Sequence, residues 1–400
     1  MASKHISPAD LNPAAPFNVP SSVRTALMAL AVVGLGLFGL GLFLDPHRAW
    51  ASFLQNHFFF MSLGLGGLFF AAIQWLTSAM WSVTIRRVTE SFTAYLPVAL
   101  LTFGVVALGI HDIYVWSHPE HVKGDIILEG KAGYLSPAFF VIRNVVAIAL
   151  WFFFSKKLIG NSVAQDESKD AGLTLKNRGL APIFLILFGL TFTMASFDQV
   201  MSLDPHWFST MFGVYCFAGL FYSTLALTAV LTVYLKKNGA LDGYVNENHL
   251  HDLGKFMFAF TAFWAYIGFS QYMLIWYANM PEETGYFLHR EVGTWAYVGI
   301  FLMIGKFAVP FFSLLPRENK RSEKVLFRVG IWMLICQWID ILWLVQPEFF
   351  KDGPRVSWIE LGTLAGFIGV FGTMVVRFWS KNTIVAVGDP RLTDSLNHHQ

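Results

Sequence analysis

Residues 23–44 read VRTALMALAVVGLGLFGLGLFL, and the one charge in that run is Arg24, at its edge. Crossing ~30 Å of hydrocarbon takes a helix of about 20 predominantly apolar residues, and this run supplies them unbroken. Nine runs of the same kind follow, at roughly 58–81, 91–116, 137–155, 180–201, 208–235, 256–279, 292–315, 325–346 and 357–379. Polar connectors separate them, and none has the ten-residue alternation of a membrane barrel strand. The expected fold is all-α and integral to a membrane, with ten spans. Composition agrees: only 14% of the 400 residues are charged, where soluble domains carry roughly 25%. Forty Phe and 14 Trp are more apolar surface than one water-soluble core can hide.

The same composition excludes several functions. Cys216 and Cys336 are the only cysteines, too few for a Cys-ligated zinc site, an iron–sulfur cluster or a disulfide framework. A net charge of +2 argues against a nucleic-acid partner. No metal site is expected. Met1–Ser22 is polar and Pro-rich without an apolar core, so it reads as a surface-lying or disordered arm and not as a signal peptide. Lys and Arg set the orientation: nineteen of the 28 fall at the termini or after even-numbered spans, and six after odd-numbered ones. By the positive-inside rule both termini are cytoplasmic, leaving 1–22 as an inner arm, 23–379 as the membrane domain and 380–400 as an inner tail.

Charges at membrane depth cost at least ~2.5 kcal/mol each and mark pathways or sites. An outer-half group comprises His111 and Asp112 in span 3, Arg143 in span 4, Asp198 in span 5, Asp340 in span 9 and Glu360 in span 10. An inner group comprises Asp252 and Lys255 at the start of span 7, Lys306 in span 8 and Arg328 in span 9. His111, Asp112, Asp198 and Asp340 form the candidate proton-accepting site; Lys306, Asp252, Lys255, Glu360 and Arg143 form the candidate proton path. Blander readings stand beside these. Arg143 pairs with Asp112 or Asp198, Lys255 and Arg328 snorkel, and Glu360 is hydrated at the outer interface. Tyr266, Ser270 and Tyr277 share a face of span 7 with Gln271 close by, a stripe that serves either helix packing or a ligand. His111 is the one histidine well inside a span, with His57 at the edge of span 2. A membrane cytochrome b, which needs facing His pairs, is therefore not expected.

The string Phe197-Asp198-Gln199-Val200-Met201-Ser202-Leu203-Asp204-Pro205-His206-Trp207-Phe208-Ser209-Thr210 ends span 5 at Asp204-Pro205, because the residue before a proline is pushed out of the helical region. Pro205 is then suited to the opening turn of the next helix. Asp45-Pro46-His47 stands four spans earlier, the separation expected if spans 2–5 (about 58–201) and 6–9 (about 208–346) are parallel copies of a four-helix bundle.

Met201–Thr210 with Met211-Phe212-Gly213-Val214-Tyr215, and His251–Phe260 leading into Gln271-Tyr272 and Trp276-Tyr277, resemble the polysulfide-reductase-type (NrfD-like) membrane subunits of alternative complex III, the bacterial quinol:cytochrome c/oxidase oxidoreductase. The chain is most similar to the smaller of that complex's two paralogous ten-helix subunits. The resemblance implies two four-helix bundles with one flanking helix on each side, in a bacterial inner membrane. It places the family's acidic residue on Asp198 and its loop motif on Asp204, Pro205 and His206. It implies menaquinol or ubiquinol as substrate, and no intrinsic redox cofactor. Iron–sulfur clusters and haem c would sit in partner subunits, beside the paralogue, small membrane subunits, lipids and a haem-copper terminal oxidase. Tyr266, Ser270, Gln271 and Tyr277 are then candidate quinone-lining residues. Three other functions compete: proton conduction without quinol, a structural scaffold of the same complex, and secondary transport. Transport is disfavoured because the prolines, such as Pro97 and Pro310, are not paired between the halves.

Overall fold

Ten helices are long and apolar enough to cross a membrane: α1 Ser21–Leu44, α2 Pro46–Leu76, α3 Val83–Leu108, α4 Pro137–Ser168, α5 Ala171–Leu203, α6 Phe212–Lys237, α7 Glu247–Ala278, α8 Trp295–Leu314, α9 Glu323–Glu348 and α10 Trp358–Lys381. They are seen in a computed structural model that describes residues 6–399; Met1–His5, with Lys4, and Gln400 lie outside the described residues. Among the described residues there is no strand, only an isolated bridge between Pro16 and Thr383. The chain is therefore a multi-pass, all-helical membrane protein.

Helix boundaries depart from the expected spans where buried polar residues had disguised helix as connector. Helix α2 starts at Pro46, twelve residues early, with Asp45 as its N-cap accepting from Arg48 N (3.3 Å) and Pro46 in the first turn. Its first third carries Ser52, Gln55, Asn56 and His57, all fully buried. These polar groups are tolerated because α2 packs against α1, α3, α5, α6, α9 and α10 and shows little surface to lipid. Three of them find partners across those contacts: Asn56 accepts from Trp338 Nε1 (3.0 Å), Gln55 donates to the Trp338 carbonyl (3.3 Å), and His57 Nδ1 meets Thr102 Oγ1 (2.8 Å). Helices α4 and α5 run on to Ser168 and back from Ala171, joined through Lys169 at φ +54° with Asp170 capping α5. Helix α3 ends at Leu108, short of its expected end, and short turns carry the chain from Ile110 to Lys131.

Helices α2, α3, α4 and α5 contact one another in sequence order, with α2 also touching α5. Helices α6, α7, α8 and α9 do the same, with α6 touching α9. Helices α2, α5, α6 and α9 meet between these sets. The first and last helices lie on each other, and small residues make this possible. A Cβ on Gly34 would stand 2.1 Å from Gly366 N, and one on Gly369 would stand 2.3 Å from Ala31 N. Gly362 and Gly366 form the small-xxx-small spacing that lets membrane helices touch backbone to backbone.

Helix α8 is not uniform. It opens as α-helix over Trp295–Phe301, widens to a π-helix over Leu302–Ala308 and closes as α-helix over Val309–Leu314. Pro310 has no N–H, so the Lys306 carbonyl loses its ordinary helical donor. In hydrocarbon that carbonyl must be satisfied elsewhere, and Tyr222 Oη donates to it at 3.0 Å from α6. Trp332 Nε1 likewise donates to the Gly305 carbonyl at 2.7 Å from α9. Such π segments are frequent at functional sites.

The two tails lie on the face where α1 begins and α10 ends. Phe17 packs on Tyr234 and Trp379, and its N–H donates to the Trp379 carbonyl. The C-terminal tail closes a buried charge cluster: Arg86 bonds Glu90 (3.1 Å) and Asp389 (2.9 Å), Arg87 bonds Glu90 (2.7 Å) and Asp166 (2.6 Å), and Arg391 bonds Asp389 (3.0 Å). Three cations meet three carboxylates, so the buried charge is balanced. Burial pushes the Asp389 carboxyl up, but Arg86 and Arg391 more than reverse this and hold it at about 2.

Candidate functional site

A cavity of about 730 Å³ opens among α6, α7, α8, α9 and the short helix Pro281–Glu291, on the face opposite the chain termini. Its wall is mainly aromatic and aliphatic, with Phe212, Trp264, Tyr286, Phe287 and Trp343 prominent. Its outer lip is made by Phe269, Ile300 and Met303, each at least half exposed on the membrane-facing surface. A lipophilic molecule can thus enter sideways from the bilayer.

Few polar groups reach this cavity. Gln271 lines it, is buried, and has no hydrogen-bond partner among the described residues. Tyr215 lines it too, and its hydroxyl donates to Asp340 Oδ1 behind the wall. Asp340 Oδ2 accepts from Lys306 Nζ at 2.6 Å. Lys306, Asp340 and Tyr215 are all buried, so a three-member chain of ionisable side chains runs from mid-helix α8 to the cavity surface. The ammonium also faces the Trp264 ring at 4.0 Å and the Tyr222 ring at 5.1 Å, a cation–π arrangement that lowers its cost of burial. Arg290 is fully engaged, donating to the carbonyls of Tyr286, Trp343 and Leu344 and to Glu348.

The loop motif roofs this cavity. Trp207 stacks on Tyr286 with centroids 3.8 Å apart and planes 12° from parallel. His206 bonds Asp125 at 2.6 Å, and Lys131 Nζ donates to the Pro205 carbonyl at 2.6 Å. The bond from His206, aided by the Leu128 and Ile127 backbone N–H groups, holds the Asp125 carboxyl below its ordinary range. Burial pushes the Tyr286 phenol above its own range, so it stays a neutral O–H. Asp204-Pro205 does end α5, but Pro205 does not open α6; a turn intervenes until Phe212. Trp207 is buried.

The residues singled out from sequence fall into separate places. Asp340 and Lys306, assigned to opposite halves of the membrane, are one ion pair. Asp198 is buried with Arg143, which bonds both carboxylate oxygens at 3.0 and 2.9 Å, while Asn144 adds a third bond at 3.1 Å. Asp112 takes no part in that pair. His111 and Asp112 lie beyond α3 on the exposed surface, lining a pocket of about 150 Å³ with His47, His118 and His121. The histidine well inside a span is therefore His57, and His111 is outside. Glu360 is not hydrated: it is fully buried, gripped by Arg48 at 3.0 and 2.7 Å, and caps α10 through the Ser357 N–H. Asp252 pairs at 2.6 Å with Lys255 and at 2.6 Å with His398 of the C-terminal tail. Of the span 7 stripe, Tyr266 is 64% and Tyr277 84% exposed and Ser270 half-buried, so only Gln271 faces the cavity.

Sequence reasoning missed Tyr215, Tyr222, Trp264 and the helix Pro281–Glu291. Tyr215 had a signal, since it closes the string that begins at Met201; the wall of the cavity had none, because aromatics crowd every helix. Among the described residues, no group of three or more His, Cys, Asp or Glu is placed to hold a metal ion. Compared with known proteins, the sequence matches no family model and no curated protein.

Proposed function

We propose that this chain is the smaller NrfD-like subunit of a bacterial respiratory complex of the alternative complex III type. On this reading it sits in the inner membrane with both termini cytoplasmic and supports quinol oxidation near the outer surface. The observation that carries the reading is the aromatic cavity, open to lipid, with the Tyr215–Asp340–Lys306 chain behind its wall. A quinol is an amphipathic ring on an apolar tail, and a mostly apolar site with a few convergent polar groups is what binds such a molecule. Gln271 and Tyr215 are the buried lining groups offered to its two oxygens, with Tyr272 and Glu291 also lining the cavity. Oxidation releases two protons, and Tyr215 can relay one of them, handing its hydroxyl proton to Asp340 while its oxygen takes a proton from the quinol. Electrons leave to iron–sulfur and haem c centres of partner subunits, as the family resemblance implies.

Helix contacts support the further reading of α2–α5 and α6–α9 as two four-helix bundles, with α1 and α10 flanking them as a touching pair. The exposed His111–Asp112 pocket then lies on the outer surface, apart from the cavity. A second reading, proton transfer without quinol, draws on Lys306 standing in a π-helix near mid-membrane. Proton release per electron in Lys306→Met separates the two.

The test is quinol-dependent reduction of cytochrome c by the intact complex carrying Gln271→Leu. Loss of the two-oxygen grip should raise KM for quinol roughly tenfold, the equivalent of one hydrogen bond to a neutral group. An unchanged KM, with inhibitor binding also unchanged, overturns this site.

A further inference from the structure

Two ion pairs of the same design stand four helices apart. Arg143 on α4 meets Asp198 on α5, and Lys306 on α8 meets Asp340 on α9. Each puts the cation on the earlier helix and the acid on the later one, and each acid is buried. At 1.5 Å of rise per residue, both acids lie about 8–12 Å from the ends of their helices on the face opposite the termini.

Their chemistry differs. Arg143 bonds both oxygens of Asp198, its guanidinium lies 3.7 Å from the Tyr134 ring and 4.2 Å from the Phe139 ring, and Asn144 takes a further lone pair. A guanidinium does not give up its proton in a protein. Lys306 makes one 2.6 Å bond to Asp340, in a π-helix beside the large cavity, with Tyr215 linking the acid to that cavity. An ammonium loses its proton readily once buried, and an ion pair in a low-dielectric site can relieve its burial cost by neutralising.

We infer that Lys306–Asp340 is an exchangeable pair and Arg143–Asp198 its locked counterpart. One proton moves along the 2.6 Å bond from Lys306 Nζ to Asp340 Oδ2, turning ammonium and carboxylate into amine and carboxylic acid with no change in total charge. Arg143–Asp198 stays ionised and serves to hold α4 against α5. The exchange is a property of the pair; only its use during quinol oxidation rests on the function proposed above.

The experiment needs no turnover. The intact protein in membranes is treated with dicyclohexylcarbodiimide, a lipophilic reagent consumed by protonated carboxyl groups. The acid adds across a C=N bond, its oxygen to carbon and its proton to nitrogen. Adducts are then located by peptide mass spectrometry, and the carboxylic C=O infrared band is recorded alongside. Labelling at Asp340 should exceed that at Asp198 by roughly tenfold or more, the effect of one pKa unit in the protonated fraction. Lys306→Arg, which keeps the positive charge, should abolish both the Asp340 adduct and its infrared band. Arg143→Lys should bring labelling to Asp198. Equal labelling of the two acids overturns the inference, as does labelling of Asp340 that survives Lys306→Arg. If Asp340 gives neither adduct nor carboxylic band, the pair is permanently ionised and the inference is wrong. Quinone-analogue binding, measured on the same samples, reports separately on the proposed function.

Discussion

Asp340 is where the chemistry of the cavity meets the stability of the bundle, because one carboxylate serves both Tyr215 and Lys306. Asp340→Asn leaves a buried ammonium without its counter-charge, and breaking a buried pair costs about 3–5 kcal/mol. The variant should unfold at a clearly lower temperature in detergent and lose most quinol-dependent turnover. Asp112→Asn, on an exposed pocket, should change neither property. If Asp112→Asn proves the more damaging in paired assays, the cavity is the wrong site. Tyr222→Phe isolates the π-helix: it removes only the hydroxyl that donates to the Lys306 carbonyl. It should cost ~0.5–1.5 kcal/mol, as one hydrogen bond does, and be read by equilibrium unfolding. The individual charges were legible in the sequence, since an ionisable residue inside a span always needs an explanation. Their pairing was not. Asp340 and Lys306 were assigned to opposite halves because the Lys and Arg bias fixes which end of a helix is which, but not how deep a side chain reaches.

At the scale of elements, α1 and α10 depend on glycine at their contact. Gly366→Leu places a side chain where the Gly34 backbone lies, within about 3 Å of where a Cβ would begin, and backbone cannot retreat as a side chain can. Overpacking of this kind costs typically ~1–3 kcal/mol; Gly39→Leu, where a Cβ meets nothing, is the matched control. Thermal unfolding of the two variants should separate them by several degrees, and equal values contradict the contact. Ten spans could be read from apolar runs because hydrocarbon demands continuous helix. The boundaries of α2, α4, α5 and α7 could not. Helix α2 hides polar residues inside protein, while α4, α5 and α7 run on as amphipathic helix past their apolar runs. The Gly362–Gly366 spacing was a signal present in the sequence and left unread.

On the scale of the whole molecule, the C-terminal tail is a clamp, since Asp389 and Arg391 complete a buried six-charge cluster with Arg86, Arg87, Glu90 and Asp166. The Asp389 carboxyl is held at about 2, below the ordinary value near 4, so its contribution is full above pH ~4 and is lost as pH falls toward 2. Limited proteolysis should find the tail protected at neutral pH and cut more readily in acid, and Asp389→Asn should expose it at every pH. A tail equally protected in the variant contradicts the clamp. The central claim is that the α6–α9 cavity holds a quinone head group. Its most direct measurement is a high-resolution map of the purified complex with bound quinone. The account predicts ring density between Tyr215 and Gln271, with the tail leaving past Phe269 and Met303. Ring density beside Asp198, or in the His111–Asp112 pocket with only lipid in the cavity, contradicts it.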